Sequence, residues 1–285
     1  RVTPFDKNSK SCVSYMKEGD FFDNEKAVLI ESPTTAKIIF KDSSGQKVLK
    51  DGLKLEANEI LDATFMDAQK LGEFYTEQIE SCKKQGILFS LHLKATMMKV
   101  SDPILFGYAV NFKELFDEFK DELEALGVNA NNGVNELLTK IESSPKKAAI
   151  LAKYNEILER SAKISMVNSD KGITNLHIPS DVIVDASMPA MLKNGARLWD
   201  KDGKECEANA VIPDKTYATI YEAVIEDLKA NGVLNPATLG SVSNVGLMAK
   251  KAQEYGSHDK TFVAPNDGEF IIVDSNDTTL LSHSV

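Results

Sequence analysis

The sequence predicts an α/β fold of mixed sheets with flanking helices, and three observations predict it. Segments with helical spacing alternate with short strand-like runs through the middle of the chain. Turn residues punctuate those segments at close intervals. The 285 residues are 42% hydrophobic and 27% charged, ordinary globular proportions with enough apolar material for a sizeable core. That length suits one large domain or about two smaller ones, with sub-regions expected over 1–127 and 128–285.

Each element has a local reason. Ala27 to Ile30 is a short apolar run. Lys37 to Lys50 reads as a hairpin about the turn Asp42-Ser43-Ser44-Gly45. Asp67 to Lys84 reads as an amphipathic helix, with Asp67 as N-cap and Gly86 as the stop. The next run, Ile87 to Lys94, alternates as a strand does. Ile87, Phe89, Leu91 and Leu93 share one face; Leu88, Ser90, His92 and Lys94 share the other. Ser101-Asp102-Pro103 opens a helical stretch, and apolar and acidic residues continue to Gly127.

After the turn at Asn129 to Gly133, helices are expected over Val134 to Glu142 and Lys146 to Ala162. Val182 to Val184 reads as a compact β-branched strand bounded by Asp181 and Asp185. Helices follow over Thr216 to Asn231 and Val245 to Tyr255, stopped by Gly232 and Gly256. The C-terminal region closes as a hairpin around Ser275-Asn276-Asp277. No internal repeat or low-complexity segment interrupts this order.

Composition narrows the function. The formal net charge is −10, which disfavours nucleic acid and anionic lipid surfaces, and no basic patch offsets it. No apolar run reaches the length that crosses a bilayer. Residue 1 is Arg, so the N-terminus is expected to be an internal or processed point of a longer chain. Cys12, Cys82 and Cys206 are far apart and odd in number, which fits a reducing, cytoplasmic setting. The dinucleotide fingerprint GxGxxG, the P-loop and the GxSxG elbow are all missing.

Three features carry chemistry. Lys94 stands at the carboxyl end of its strand, where open α/β sheets bind ligands. A lysine there can trade protons near neutral pH when its surroundings favour the neutral amine. The ordinary alternative, a lysine reaching out to solvent, is common. Asp185 ends the DVIVD run and suits Mg²⁺, which takes one or two protein carboxylates; a turn or cap role is its alternative. Tyr255 sits at a helix end before Gly256, where a phenol can face a cleft or lie half-buried. His92, Lys99, Asp181, His258 and Asp259 are nearby in sequence and are expected to be structural or supporting.

Three long stretches, HLKATMMKVSDPI, NSDKGITNLHIPSDVIVDASMPAM and SNVGLMAKKAQEYGSHDKTF, resemble the monomeric type of NADP-dependent isocitrate dehydrogenase in order and spacing. The resemblance covers nearly the whole chain. It implies an isocitrate/isopropylmalate dehydrogenase-like α/β fold, with this chain as an incomplete large catalytic domain. It implies oxidation of isocitrate by NADP with loss of carbon dioxide, assisted by Mg²⁺ or Mn²⁺. By resemblance Lys94 and Tyr255 match catalytic residues and Asp185 a metal ligand. The carboxylate-gripping Ser/Asn/Arg cluster, the remaining metal aspartates and the NADP site are expected outside these residues. Only Arg1, Arg160 and Arg197 are present, few for a trianionic substrate. The isolated chain is therefore expected to be inactive and prone to self-association, and its parent monomeric. Two other readings share these residue types: a related metal-dependent 2-hydroxy-acid decarboxylating dehydrogenase, and a non-catalytic metabolite-binding module.

Overall fold

The computed structural model describes residues 3–94, 101–110, 113–233 and 260–285. In chain order the strands are β1 (Cys12–Ser14), β2 (Lys26–Leu29), β3 (Thr34–Asp42), β4 (Gly45–Leu55), β5 (Ile60–Ala63), β6 (Leu88–Leu91), β7 (Met166–Asn168), β8 (Ile173–Thr174), β9 (Arg197–Trp199), β10 (Glu205–Val211), β11 (Glu269–Val273) and β12 (Thr279–Ser284). The α-helices are α1 (Phe21–Asn24), α2 (Ala68–Gln85), α3 (Ser101–Val110), α4 (Lys113–Glu118), α5 (Lys120–Ala125), α6 (Val134–Lys140), α7 (Lys147–Arg160), α8 (Val184–Lys193) and α9 (Lys215–Asn231). The mixed α/β class is as expected. The helix expected over Val245 to Tyr255 lies outside the described residues.

Helix α2 forms for the reasons its sequence gives. The Asp67 carboxylate accepts the Lys70 N–H at 3.0 Å, and Leu71, Phe74, Tyr75 and Cys82 are buried. Gly86 adopts φ 71°, where only glycine is unstrained, and the chain turns directly into β6.

The central sheet runs β1-β10-β9-β7-β8, with β6 on the other side of β10. Strand β10 organises it. Its second half, Ala208–Val211, pairs parallel with β1 on one side and β6 on the other. Its first half pairs antiparallel with β9. A three-strand parallel core of this kind needs both faces covered. Phe89, Leu91 and Leu93 face one apolar cluster with α2, α3, α6 and α7, while Leu88 joins a second with α8 and α9. The alternation read from the sequence holds, so Ser90, His92 and Lys94 fall on the α8/α9 side.

A second sheet, β12-β11-β3-β4, is antiparallel throughout, and the β2–β5 pair packs on it around Ile30, Ala36, Ile38, Leu55, Ile272 and Leu281. The expected hairpin about Asp42 to Gly45 is present and longer at both ends. Both sheets take strands from either side of residue 127.

One expected element is corrected. Val182–Val184 is not a strand. Pro179–Val182 is a short 3-10 turn, and α8 begins at Val184. Only Ile183 touches the sheet, through a single parallel bridge to Leu93. The run of three β-branched residues was too short to outweigh the spacing of Val184, Met188 and Met191, which are all buried on one helical face.

Candidate active site

The strand expected over Ile87 to Lys94 is shorter, β6 ending at Leu91; Lys94 lies three residues beyond it, directly after Leu93 and its isolated bridge to Ile183, and its side chain reaches the N-terminus of α8. Its Nζ donates to both oxygens of Asp185, at 2.7 and 2.5 Å. Asp185 therefore stands in the first turn of a helix rather than at a strand end. An acidic residue there is favoured by the unpaired N–H groups of the helix. The Lys94 side chain is 17% exposed and the Asp185 side chain 51%. The Lys94 ammonium also lies 5.2 Å from the centre of the Tyr217 ring on α9. One turn on, burial raises the Tyr221 phenol and the Asp185 charge raises it further.

Two backbone hydrogen bonds hold the strand end to the helix start. Leu93 N–H donates to Val182 O and Val184 N–H donates to Leu93 O, both at 2.7 Å. His92 adds a side-chain tie. Its ring is buried, with Nε2 2.9 Å from Ser90 Oγ and Nδ1 2.7 Å from Ser187 Oγ on α8. Burial depresses the imidazole to about 3, so the ring is neutral.

Beneath the lysine lies an acidic floor that the sequence reading did not identify as part of a site. Asp102 is buried, and its Oδ2 has no hydrogen-bond partner among the described residues. Burial, then the nearby Asp214 charge, push the Asp102 carboxyl up to about 7, against a lowering hydrogen bond from the Lys94 backbone N–H. Asp214 caps α9 by accepting Thr216 N–H at 3.1 Å, and burial raises it too. Phe21, Lys94, Asp102, Pro213, Asp214 and Tyr217 line one small cleft of about 10 Å³, room for little more than a water molecule. The signal for Asp214 was present: it lies three residues past the end of β10, the strand neighbouring β6, so the strand-end rule applied to Lys94 applied equally to it.

The structure thus brings Lys94 and Asp185 together, with Lys94 lining the cleft. Asp181 lies in the 3-10 turn, its carboxyl raised by burial alone, with no contact to Lys94 among those described. Tyr255, Lys99, His258 and Asp259 lie outside the described residues. Among the described residues no group of three or more His, Cys, Asp or Glu forms a ready metal cage. Asp185 nonetheless suits a hard cation as a single ligand: its carboxylate is half-exposed and is paired with the Lys94 ammonium.

Residues 1–285 match the family model described as monomeric isocitrate dehydrogenase. The chain is 49% identical over 284 residues to the isocitrate dehydrogenase (NADP) of Azotobacter vinelandii, covering 98% of this chain and 38% of that protein. It is 46% identical over 288 residues to the enzyme of that name from Corynebacterium glutamicum, covering 100% and 39%. It is 44% identical over 271 residues to isocitrate dehydrogenase (NADP) 2 of Mycobacterium tuberculosis, covering 93% and 36%. The chain spans less than two-fifths of the length of these curated relatives.

Proposed function

Because this chain belongs to the monomeric isocitrate dehydrogenase family, we propose that it supplies the proton-handling lysine and one metal-binding aspartate of an NADP-dependent isocitrate dehydrogenase. Lys94 and Tyr255 are its catalytic residues in this reading and Asp185 its metal ligand. The observation that carries it is the Lys94–Asp185 pair, just past a strand end, with Lys94 lining a small cleft. The chain is then part of an isocitrate/isopropylmalate dehydrogenase-like large domain. The substrate-carboxylate cluster, the NADP site and the other metal aspartates lie in the remaining length of such an enzyme.

Bound NADP would accept the hydride from the isocitrate alcohol carbon, and bound Mg²⁺ or Mn²⁺ would polarise the hydroxyl and the carboxylate beside it. The protein's own residues do the rest. Asp185 would hold that cation, and the positive charge beside Nζ would favour loss of the Lys94 ammonium proton to water. The neutral Lys94 Nζ then takes the hydroxyl proton as the carbonyl forms. Tyr255, in this reading, returns a proton after carbon dioxide leaves. The Tyr217 ring and the backbone ties at Leu93 keep the lysine aimed at the cleft rather than at water. The three free cysteines suit a cytoplasmic protein.

The test is kinetic. In a chain of the relatives' full length, isocitrate should drive NADP reduction, and Lys94→Met should lower kcat by about 10²–10⁴-fold, the usual share of general acid–base catalysis. The 285-residue chain alone should show no such reduction. A full-length protein that oxidises malate or isopropylmalate in preference to isocitrate would move the reading to the related dehydrogenases. A Lys94→Met variant with unchanged kcat would end it.

A further inference from the structure

His92 is a buried histidine that the proposed reaction leaves unused, and its hydrogen bonds fix where its proton sits. A serine hydroxyl has one proton to give. Ser187 Oγ gives its proton to Ile183 O at 2.9 Å. The 2.7 Å contact between Ser187 Oγ and His92 Nδ1 therefore has the ring as donor. The other end agrees. Ser90 Oγ accepts from Ser165 Oγ at 2.9 Å and from Asn175 Nδ2 at 3.1 Å, so its own proton is left for His92 Nε2 at 2.9 Å. Ser165, Asn175, Ser90, His92 and Ser187 form one line of hydrogen bonds in which every proton has a single direction. It runs from β6, just ahead of Lys94, to α8, whose first turn carries Asp185.

The two backbone bonds at Leu93 fix where α8 starts but not how it is rolled about its axis. Ser187 and Asp185 lie on opposite flanks of the buried Val184–Met188–Met191 stripe. Holding Ser187 therefore sets the direction of Asp185; a roll of ~20° would carry its carboxylate roughly 2 Å relative to Lys94 at helix geometry. We propose that His92 is a positioning residue: through an Nδ1–H bond to Ser187 it sets the roll of α8 and so the Lys94–Asp185 distance. This deepens the proposed lysine–aspartate site and rests on it.

Two measurements on the 285-residue chain test it, and neither reads dehydrogenase activity. The first is a long-range ¹H–¹⁵N spectrum of the histidine rings, with His92 assigned by its loss in His92→Asn. A neutral ring protonated on Nδ1 and unchanged from pH 5 to pH 8 is expected. A ring protonated on Nε2, or one that titrates in that range, overturns the proposal. The second is the acylation rate of Lys94, read by peptide mass spectrometry against Lys153 as an internal control. Ser187→Ala and His92→Gln should raise the Lys94 rate about threefold or more without moving Lys153. His92→Asn, whose amide nitrogen can stand where Nδ1 stood, should stay within about twofold of the parent chain. An unchanged Lys94 rate in Ser187→Ala overturns the proposal, and that variant decides the matter if His92→Gln fails to fold. Loss of isocitrate turnover in the longer enzyme, with both results as expected, would count against the proposed reaction and not against this tie.

Discussion

Lys94 and Asp185 are joined by two short hydrogen bonds, yet half of the aspartate faces water. Such a pair contributes little to stability, about 0–1 kcal/mol. Lys94→Met should therefore melt within a few degrees of the parent chain while its full-length counterpart loses turnover. A large loss of stability would mean the lysine is structural. Asp102 behaves in the opposite way. Its carboxyl is raised to about 7 in the fold and is ordinary in the unfolded chain, so folding takes up a proton between those values. Its contribution to stability is complete below about pH 4 and lost as pH rises through about 7. Asp102→Asn removes that dependence. Its advantage over the parent should grow from pH 4 to pH 7 and then level, after a change of roughly 4 kcal/mol, in denaturant melts across that range. The sequence marked Lys94 because alternation along one strand is local information. Asp102 and Asp214 drew no notice as site residues, because their meeting depends on β10 and β6 becoming neighbours, and nothing local to either segment encodes that.

At the scale of elements, the segments read correctly are those whose ends carry their own chemistry. Helix α2 has Asp67 before it and Gly86 after it, and both act as their types require. Asp67→Ala should cost about 1 kcal/mol in a denaturant melt. The misread segment, Val182–Val184, had conflicting signals, and the buried face shared by Val184, Met188 and Met191 settled it as the start of α8. Glycines show the same contrast between local and non-local causes. Gly52 has φ 72° with open space around it, so Gly52→Ala should cost only about 1 kcal/mol of backbone strain. Gly133 has φ 92°, and a Cβ there would meet the His177 carbonyl oxygen at 2.2 Å. Gly133→Ala must also push apart the junction of α6 with the His177 loop, at about 3 kcal/mol or more. Similar melting midpoints for the two variants would contradict that packing.

At the scale of the molecule, the apolar clusters on the two faces of β6 and β10 account for the fold, and the small β3–β11 sheet has a core of its own. Its partner ribbon leaves cross-strand neighbours Leu29 and Ile60 uncovered, at 55% and 68% exposure. Paired exposed apolar residues invite association. Sedimentation should show the 285-residue chain self-associating at tens of micromolar, and Ile60→Lys should shift it towards monomer. A parent chain that is monomeric throughout would remove this expectation. The pairing of β3 with β11 and of β1 with β10 has a further consequence in time. A ribosome makes Ile38 and Ile39 long before Ile271 and Ile272. At ~5–20 residues per second, the hairpin of β3 and β4 waits roughly 10–50 s for its third strand. Throughout that interval an aggregation-competent edge is on offer to any other nascent chain. The birth of this protein, more than its finished state, is where a holding chaperone would matter.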